Sequence, residues 1–198
     1  MKTCVFAGTF DPFTKGHEYI VNKCLELFDK VYIALGENDG KTPFFSLDER
    51  IDVIKLLYKD NDKVCVCSFS GMLVDFMKEN DIFVTVRGIR NLDDYKYETT
   101  MANYNFDMYP EITTLYIPTP NVLEHVSSSA MRTIIGLKGD IKQYIPDKIY
   151  KHLDKITYNE VSQALYPNAK VGTIVSQNYK VNTHLLKVKN LELTIVTK

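Results

Sequence analysis

Residues 8–17 read GTFDPFTKGH, and this decapeptide is the stretch that decides the fold. It follows the apolar run 4–7 and precedes a stretch with helical patterning, residues 18–28. A glycine-bearing turn in that place joins a first strand to a helix, whose free N–H groups and positive dipole end favour a phosphate. Thr9 and His17 supply further donors at this turn. The sequence therefore predicts a phosphate site where the first strand ends.

Strand and helix patterns alternate along the chain from residue 2 to about residue 156. The predicted strands are residues 3–7, 31–35, 64–68, 82–86 and 114–117. The predicted helices are residues 18–28, 47–58, 73–79, 93–108, 130–137 and 147–155. Most of the strands are continuous aliphatic runs, which is typical of parallel strands covered on both faces. The pattern predicts an α/β fold with an open, doubly wound parallel sheet, which binds ligands beyond the carboxyl ends of its strands.

Length and composition limit the class of protein. A chain of 198 residues, of which 45% are hydrophobic, is long enough for one well-buried domain with an appendage. The net charge of −1 and the pI of about 6.4 argue against bulk binding to nucleic acid or to a membrane surface, which favour basic proteins. The sequence contains no signal-peptide pattern and no run of 18 apolar residues, so we expect a cytoplasmic protein.

We interpret the four cysteines as small buried apolar residues in a reducing compartment. They are Cys4, Cys24, Cys65 and Cys67, and no Cys-x-x-Cys pair occurs among them. Because Cys65 and Cys67 fall on one face of a predicted strand, a metal site or a redox pair is the alternative there. We expect no metal ligands from the protein itself.

Two arginines, Arg87 and Arg90, follow the fourth predicted strand and are separated by a Gly-Ile dipeptide. If the glycine permits a sharp turn, both guanidinium groups point into one crevice, where they suit phosphate oxygens. The alternative is a pair of surface arginines bonded to Asp93 and Asp94. We favour the phosphate site because this strand end lies beside the loop that carries His17.

Hydroxyl and ammonium groups follow two other predicted strands. The three serines 127–129 stand at a helix start, where they can cap the helix and also donate to a phosphate. An ordinary helix cap is the alternative for them. Lys41 follows the second strand, and a solvated surface charge is the alternative for this residue.

These segments resemble the motifs of the nucleotidylyltransferase superfamily, and in particular of its phosphopantetheine adenylyltransferase branch. The TxGH ending of residues 8–17 resembles the superfamily signature, and the longer GTFDPxTxGH resembles the form of that branch. The other matches are RGIRNLDDYKYE at 87–98, VSSSAMR at 126–132, SGMLVDF at 70–76 and, with one residue of slack, KTPFFSLDER at 41–50. The resemblance covers residues 2–156, and Ala7 stands where the family usually has proline.

The resemblance implies a Rossmann-like nucleotidylyltransferase fold and an enzyme of coenzyme A biosynthesis. That enzyme transfers the adenylyl group of ATP to 4′-phosphopantetheine, giving dephospho-coenzyme A and pyrophosphate, with Mg²⁺ bridging phosphate oxygens. The implied catalytic residues are Thr9, His17, Lys41 and Arg90. The implied substrate-binding residues are Thr9, Lys41, Leu73 and Arg87. The implied ATP-binding residues are Thr9, Phe10, His17, Gly88, Ile89, Arg90, Glu98, Leu123, Glu124, His125, Val126, Ser127, Ser128 and Ser129.

The implied mechanism needs no general base, because the attacking phosphate oxygen is already anionic at neutral pH. Thr9 and His17 would bind the α-phosphate in the transition state. Lys41 and Arg87 would orient the attacking phosphate, whereas Arg90, Ser128 and Ser129 would hold the outer phosphates of ATP. Positioning and charge neutralisation would then supply most of the acceleration.

The sequence divides into a nucleotidylyltransferase domain, residues 1–156, and a C-terminal extension, residues 157–198. The extension has strand-like pieces at 171–175 and 191–196, separated by polar, Asn-rich sequence. We expect a β-hairpin or a partly disordered tail there. The resemblance also implies a homohexamer whose ligands are ATP and phosphopantetheine, with no nucleic-acid or membrane partner.

Two other classes of function stay open, another nucleotidylyltransferase and a silent nucleotide-binding protein. Another nucleotidylyltransferase, such as a nicotinate or nicotinamide mononucleotide adenylyltransferase, would share the first and serine motifs but should lack the segment 87–98. A cytidylyltransferase would carry HxGH in place of the TxxH of residues 14–17. A catalytically silent nucleotide-binding protein should have lost one of His17, Lys41 or Arg90, and all three are present.

Overall fold

A computed structural model describes residues 1–37, 43–137, 139–153, 156–162, 174–177 and 191–197 of the chain. The strands of its larger sheet are β1 (Thr3–Gly8), β2 (Lys30–Gly36), β3 (Val64–Phe69), β4 (Val84–Ile89) and β5 (Thr113–Pro118). The helices are α1 (Lys15–Leu27), α2 (Leu47–Leu57), α3 (Leu73–Glu79), α4 (Leu92–Met108), α5 (Ser128–Gly136) and α6 (Asp147–Leu153), with a 3-10 turn at Asn121–Leu123. Strand and helix alternate as the sequence predicts.

The larger sheet is parallel throughout, with the strand order β3-β2-β1-β4-β5. The chain builds outward from β1 to β3, then returns to the other side of β1 to add β4 and β5. The strand order therefore reverses between β1 and β4, and ligands of such sheets bind at this point beyond the strands' carboxyl ends. The expected open, doubly wound α/β fold is confirmed.

Both faces of the sheet carry a hydrophobic core. Cys4 and Phe6 of β1 pack on one face with buried residues of α1, α2, α5 and α6. Val5 and Ala7 pack on the opposite face, against α3. Alternate residues of one strand thus reach two cores, which is why its sequence is an unbroken apolar run.

The prediction that the cysteines are buried is confirmed for one pair and wrong for the other. Cys4 and Cys24 are fully buried free thiols. A hydrogen bond with Cys24, together with burial, raises the pKa of Cys4 far above the usual thiol range. Cys65 and Cys67 are only half-buried because β3 is an edge strand, and burial raises the pKa of Cys67 to about 11. Among the described residues, no group of three or more metal-ligating side chains lies together.

The fourth strand differs from its predicted position. Predicted at 82–86, it runs over Val84–Ile89, so Arg87 and Gly88 pair with β5 and the expected sharp turn at Gly88 is wrong. A Cβ atom at position 88 would approach Cγ1 of Ile20 to 2.9 Å. Glycine is therefore required for the close approach of α1 to the sheet, not for a turn.

The C-terminal extension contributes three strands, β6 (Ile156–Ser162), β7 (Ile174–Gln177) and β8 (Leu191–Thr197). They form a second sheet in the order β6-β8-β7, with β7 antiparallel to β8 and β6 parallel to it. The sequence did not indicate β6, and the domain boundary at residue 156 stays a prediction.

Within the described ranges, no helix is long and apolar enough to cross a membrane.

Candidate active site

A cleft of about 450 Å³ opens at the carboxyl ends of β1 and β4, where the strand order reverses. Most of the residues expected to bind ATP line this cleft. They are Thr9, Phe10, His17, Gly88, Arg90, Glu98, Val126, Ser127, Ser128 and Ser129, and Arg87 of the substrate-binding set joins them. Residues from widely separated loops therefore meet where the sequence predicts a phosphate site.

A second cavity of about 300 Å³ adjoins the cleft and has a more apolar wall. Leu73, the residue expected beside the pantetheine arm, lines it together with Phe69, Met72 and Met101. We call this cavity the groove. Thr9, Arg87 and Glu98 border both cavities, so a ligand in the cleft and a ligand in the groove would meet at these residues.

The ring of His17 is fixed by the start of α1. Thr14 caps the helix, and its backbone N–H donates to Nδ1 of His17 at 3.0 Å. Since a backbone N–H only donates, Nδ1 accepts and the ring hydrogen of the neutral imidazole is on Nε2. Burial, assisted by the charges of Arg90 and Arg87, lowers the pKa of His17 to about 3. His17 is therefore a neutral hydrogen-bond donor at neutral pH.

The turn that carries Thr9 is compact. Phe10 has a φ of 50°, in the left-handed region, and packs over the turn against Phe6 with ring centroids 5.2 Å apart. A Cβ atom at Gly8, the last residue of β1, would approach the Phe10 ring to 3.0 Å, so glycine at this position lets the ring pack closely over the end of the strand. The Thr9 carbonyl accepts from Nη1 of Arg50 at 2.6 Å.

Arg87 in β4 and Arg90, the residue directly after the strand, each form a two-pronged ion pair with a carboxylate of α4. Nε and Nη2 of Arg87 donate to Glu98, the latter at 2.7 Å, while Nη1 donates to the Ala7 carbonyl at 2.7 Å. Nε and Nη2 of Arg90 donate to Asp94 at 2.7 and 2.9 Å. The alternative of paired arginines is thus correct for Arg90, yet both guanidinium groups still line the cleft.

The serines at the start of α5 divide their tasks. Ser127 is the N-cap and accepts from the Ala130 N–H at 3.1 Å, as the cap interpretation has it. The Ser128 hydroxyl donates to the Pro12 carbonyl at 2.9 Å. The Ser129 hydroxyl accepts from Nη2 of Arg132 at 3.0 Å. All three serines line the cleft.

Known proteins are similar to this chain over the region that forms the larger sheet, and the similarity covers nearly their whole length. The family model described as Cytidylyltransferase-like matches residues 5–134. Phosphopantetheine adenylyltransferases from Methylobacillus flagellatus and Clostridium botulinum are each 39% identical, over 75% and 78% of this chain and 93% and 94% of theirs. The one from Thiobacillus denitrificans is 37% identical over 80% of this chain and 100% of its own. The chain belongs to the phosphopantetheine adenylyltransferase family.

Some residues that the family resemblance implies for ATP do not line the cleft. They are Ile89, Leu123, Glu124 and His125. Hydrogen bonds close the turn before α5 on itself, from the Leu123 N–H to the Pro120 carbonyl and from the Val126 N–H to the Leu123 carbonyl. Only Val126 returns to the cleft, while the His125 ring contacts Tyr144. Lys41 lies outside the described residues.

Other residues at the cleft were not assigned from the sequence. They include Asp11, Arg50, Asp94, Thr119 and Arg132. Arg132 closes the serine motif and lies one turn after Ser129, so its place on the same helix face could have been inferred. Arg50 ends the motif 41–50, but its contact with Thr9 joins residues 41 positions apart and had no signal in the sequence.

Proposed function

We propose that this protein transfers the adenylyl group of ATP to 4′-phosphopantetheine, giving dephospho-coenzyme A and pyrophosphate. The observation that carries the proposal is the junction of the two cavities at Thr9, Arg87 and Glu98. The cleft offers guanidinium, hydroxyl and imidazole donors for a triphosphate. The groove offers an apolar wall for a pantetheine arm, whose phosphate would meet the nucleotide at the shared residues.

The chemistry is a meeting of two polyanions, so the protein's task is to position them and to neutralise charge. The attacking phosphate is already anionic and needs no base. A neutral His17 with its hydrogen on Nε2 suits the role of donor to the α-phosphate, and a pKa of about 3 makes it a poor base. Thr9 would donate to the same phosphate.

The cationic side chains divide between the two phosphates. Arg90, Ser128 and Ser129 line the cleft but not the groove, so we assign them to the outer phosphates of ATP. Arg87 borders both cavities and is assigned, with Lys41, to the attacking phosphate. Glu98 and Asp94 already neutralise the charges of Arg87 and Arg90. The direction in which each guanidinium donates its hydrogen bonds therefore matters as much as its charge.

Magnesium would enter with ATP. It supplies charge neutralisation at the phosphate oxygens, which are ligands that this ion prefers. In the part of the chain that the structure describes, Asp94 and Glu98 at the cleft are both held by arginine, and no cluster of three ligating side chains occurs. The donor set therefore suits an ion bound mainly by phosphate and water.

We also propose that the protein is a homo-oligomer, a hexamer as the family resemblance implies, and that it works in the cytoplasm. Support for assembly comes from α4, a helix of 17 residues none of which is buried. Its exposed side chains include Tyr97 at 63%, Tyr104 at 59% and Phe106 at 54%. Aromatic side chains of this size favour protein interfaces.

The buried free thiols of Cys4 and Cys24 suit a reducing compartment. The proposal includes no nucleic-acid or membrane partner.

One assay separates this function from its rivals. The protein is incubated with ATP, Mg²⁺ and, in separate reactions, 4′-phosphopantetheine, nicotinate mononucleotide and nicotinamide mononucleotide, and pyrophosphate release is followed. Of the three acceptors, we expect only phosphopantetheine to give pyrophosphate release, with dephospho-coenzyme A identified as the product by mass spectrometry. Release with a mononucleotide alone would assign the protein to the sibling activity, and no release with any acceptor would indicate a silent nucleotide-binding protein.

A further inference from the structure

Asp11 is a buried residue whose carboxylate bonds to the backbone of a distant segment. It lies in the loop between β1 and α1 and is 3% exposed. Its Oδ2 accepts from the Phe44 N–H at 2.8 Å, and its Oδ1 accepts from the Phe45 N–H at 2.9 Å. Since Phe44 and Phe45 lead into α2, the carboxylate fastens the loop that leaves β1 to the segment that enters α2.

Arg50 makes the reverse connection, from α2 back to the first loop. It is 5% exposed, and its Nε donates to the carbonyls of Phe45 and Ser46 at 3.0 and 3.3 Å. Its Nη1 donates to the Thr9 carbonyl at 2.6 Å. Three backbone carbonyls thus surround a buried guanidinium, and its planar fork allows it to reach all of them from one position.

Both side chains border the cleft, yet their hydrogen bonds run to backbone groups of the protein. Arg50 holds the Thr9 carbonyl, and Asp11 holds the backbone that enters α2, so together they join the two segments. Thr9 is one of the residues at which the cleft and the groove meet. A fixed Thr9 backbone would keep its hydroxyl and amide aligned with a phosphate that spans the two cavities.

We propose that Asp11 and Arg50 are positioning residues, which hold the Thr9 loop and the start of α2 as one rigid unit against the reacting phosphates. The inference rests on the proposed adenylyl transfer and adds to it two residues that act through Thr9. A displacement of about 1 Å at a reacting centre costs about 10²-fold in rate. Ground-state binding depends less on such alignment, so kcat should fall more than KM rises.

The first experiment measures turnover in Asp11→Asn and Arg50→Lys. Asn leaves one good acceptor for two N–H groups, and Lys cannot reach the Thr9 and Phe45 carbonyls together. We expect kcat to fall by about 10²-fold in each, with KM for both substrates within about threefold. The control is Asp29→Asn, because Asp29 also accepts from a backbone N–H, that of Lys2 at 2.7 Å, at the opposite end of the sheet. This control should retain kcat.

A double-mutant cycle with Thr9→Val tests whether the two residues act through Thr9. The double variant Asp11→Asn, Thr9→Val should be no more than about threefold slower than the slower single variant, because the hydroxyl is already misaligned. Losses that multiply, or an unchanged kcat in both single variants, would overturn the inference. Arg50→Lys enters the same cycle if Asp11→Asn does not fold, as judged by circular dichroism.

A second measurement does not depend on turnover. Amide hydrogen exchange at Phe44 and Phe45 should be about tenfold faster or more in Asp11→Asn, because their acceptor is weakened. Equal exchange in the variant and the unsubstituted protein would also overturn the inference. If the unsubstituted protein makes no dephospho-coenzyme A, the proposed function fails. The exchange rates and isothermal titration with ATP and Mg²⁺ then still decide whether Asp11 holds the loop in a binding-competent form.

Discussion

The ring of His17 is held by the Thr14 backbone at Nδ1 and by the rings of Phe10 and Phe13, whose centroids lie 5.0 and 5.3 Å away. The apolar rings and the two arginines oppose a positive charge on the imidazole, while the Thr14 N–H selects its tautomer. One residue thus caps a helix through one nitrogen and offers a hydrogen-bond donor through the other. This division explains why histidine, in place of the usual glutamate or glutamine, stands at the third position of the helix.

Replacing His17 tests its role in catalysis. His17→Ala should lower kcat by about 10²–10³, the typical cost of losing one transition-state donor, while ATP affinity changes much less. His17→Gln should retain more activity, since one amide carries both an acceptor for the Thr14 N–H and a donor. Steady-state kinetics and isothermal titration give the two quantities. An unchanged kcat with a raised KM would make His17 a binding residue only.

The pKa of His17 also predicts how stability depends on pH. The unfolded chain binds a proton at this residue below about pH 6.5, whereas the folded protein does so only near 3. The free energy of unfolding should therefore fall as the pH drops from 6.5 towards 3, because protons favour the unfolded state in that window. His17→Gln should lack this component. Urea unfolding of both proteins between pH 7.5 and 4.5 measures the difference, and parallel curves would contradict it.

At the scale of elements, β4 and α4 act together: the strand carries Arg87, Arg90 directly follows its last residue, and the helix carries the carboxylates that orient both. Arg90 and Asp94 are both close in sequence, so their pairing was a stated alternative. Arg87 and Glu98 are 11 residues apart and meet only because α4 folds back over β4. Under the proposed function, a guanidinium oriented in this way would be aligned for a phosphate before the ligand binds.

The partition of the cations predicts different losses for the two substrates. Lys41→Ala and Arg87→Ala should weaken the binding of phosphopantetheine more than that of ATP, whereas Arg90→Ala should do the reverse. The reason is that Arg87 borders the groove as well as the cleft, and Arg90 borders the cleft alone. Isothermal titration of each variant with each ligand measures the losses. Equal losses for both ligands in all three variants would disprove the partition.

The limits of sequence-based prediction are clearest in β4. Helix α3, Leu73–Glu79, begins and ends where its pattern predicts, since its apolar signal is local. The strand β4 extends to Ile89, past an arginine and a glycine that a local pattern treats as the start of a turn. Gly88 is set by close packing against Ile20 of α1, and the orientation of Arg87 is set by its ion pair with Glu98 of α4. Such contacts depend on the packed fold and leave no local signal.

At the scale of the whole molecule, the residues proposed for catalysis and the C-terminal extension occupy separate parts of the sequence. Described residues at the cleft reach no further than Arg132, and those at the groove no further than Thr114. The relative from Thiobacillus denitrificans is matched over its whole length by 160 residues of this chain. The catalytic proposal therefore requires no residue of the sheet β6-β8-β7.

Truncation after Ile156 tests this separation. The shortened protein should retain kcat/KM within about threefold, because every residue assigned to the reaction precedes the cut and the five-stranded sheet is complete without the extension. Light scattering on both forms reports the mass of the assembly. Retained activity with a smaller mass would assign the extension to subunit contacts. Lost activity with an unchanged mass would mean that the extension covers the nucleotide cleft or stabilises its walls, and the domain boundary at residue 156 would then be wrong.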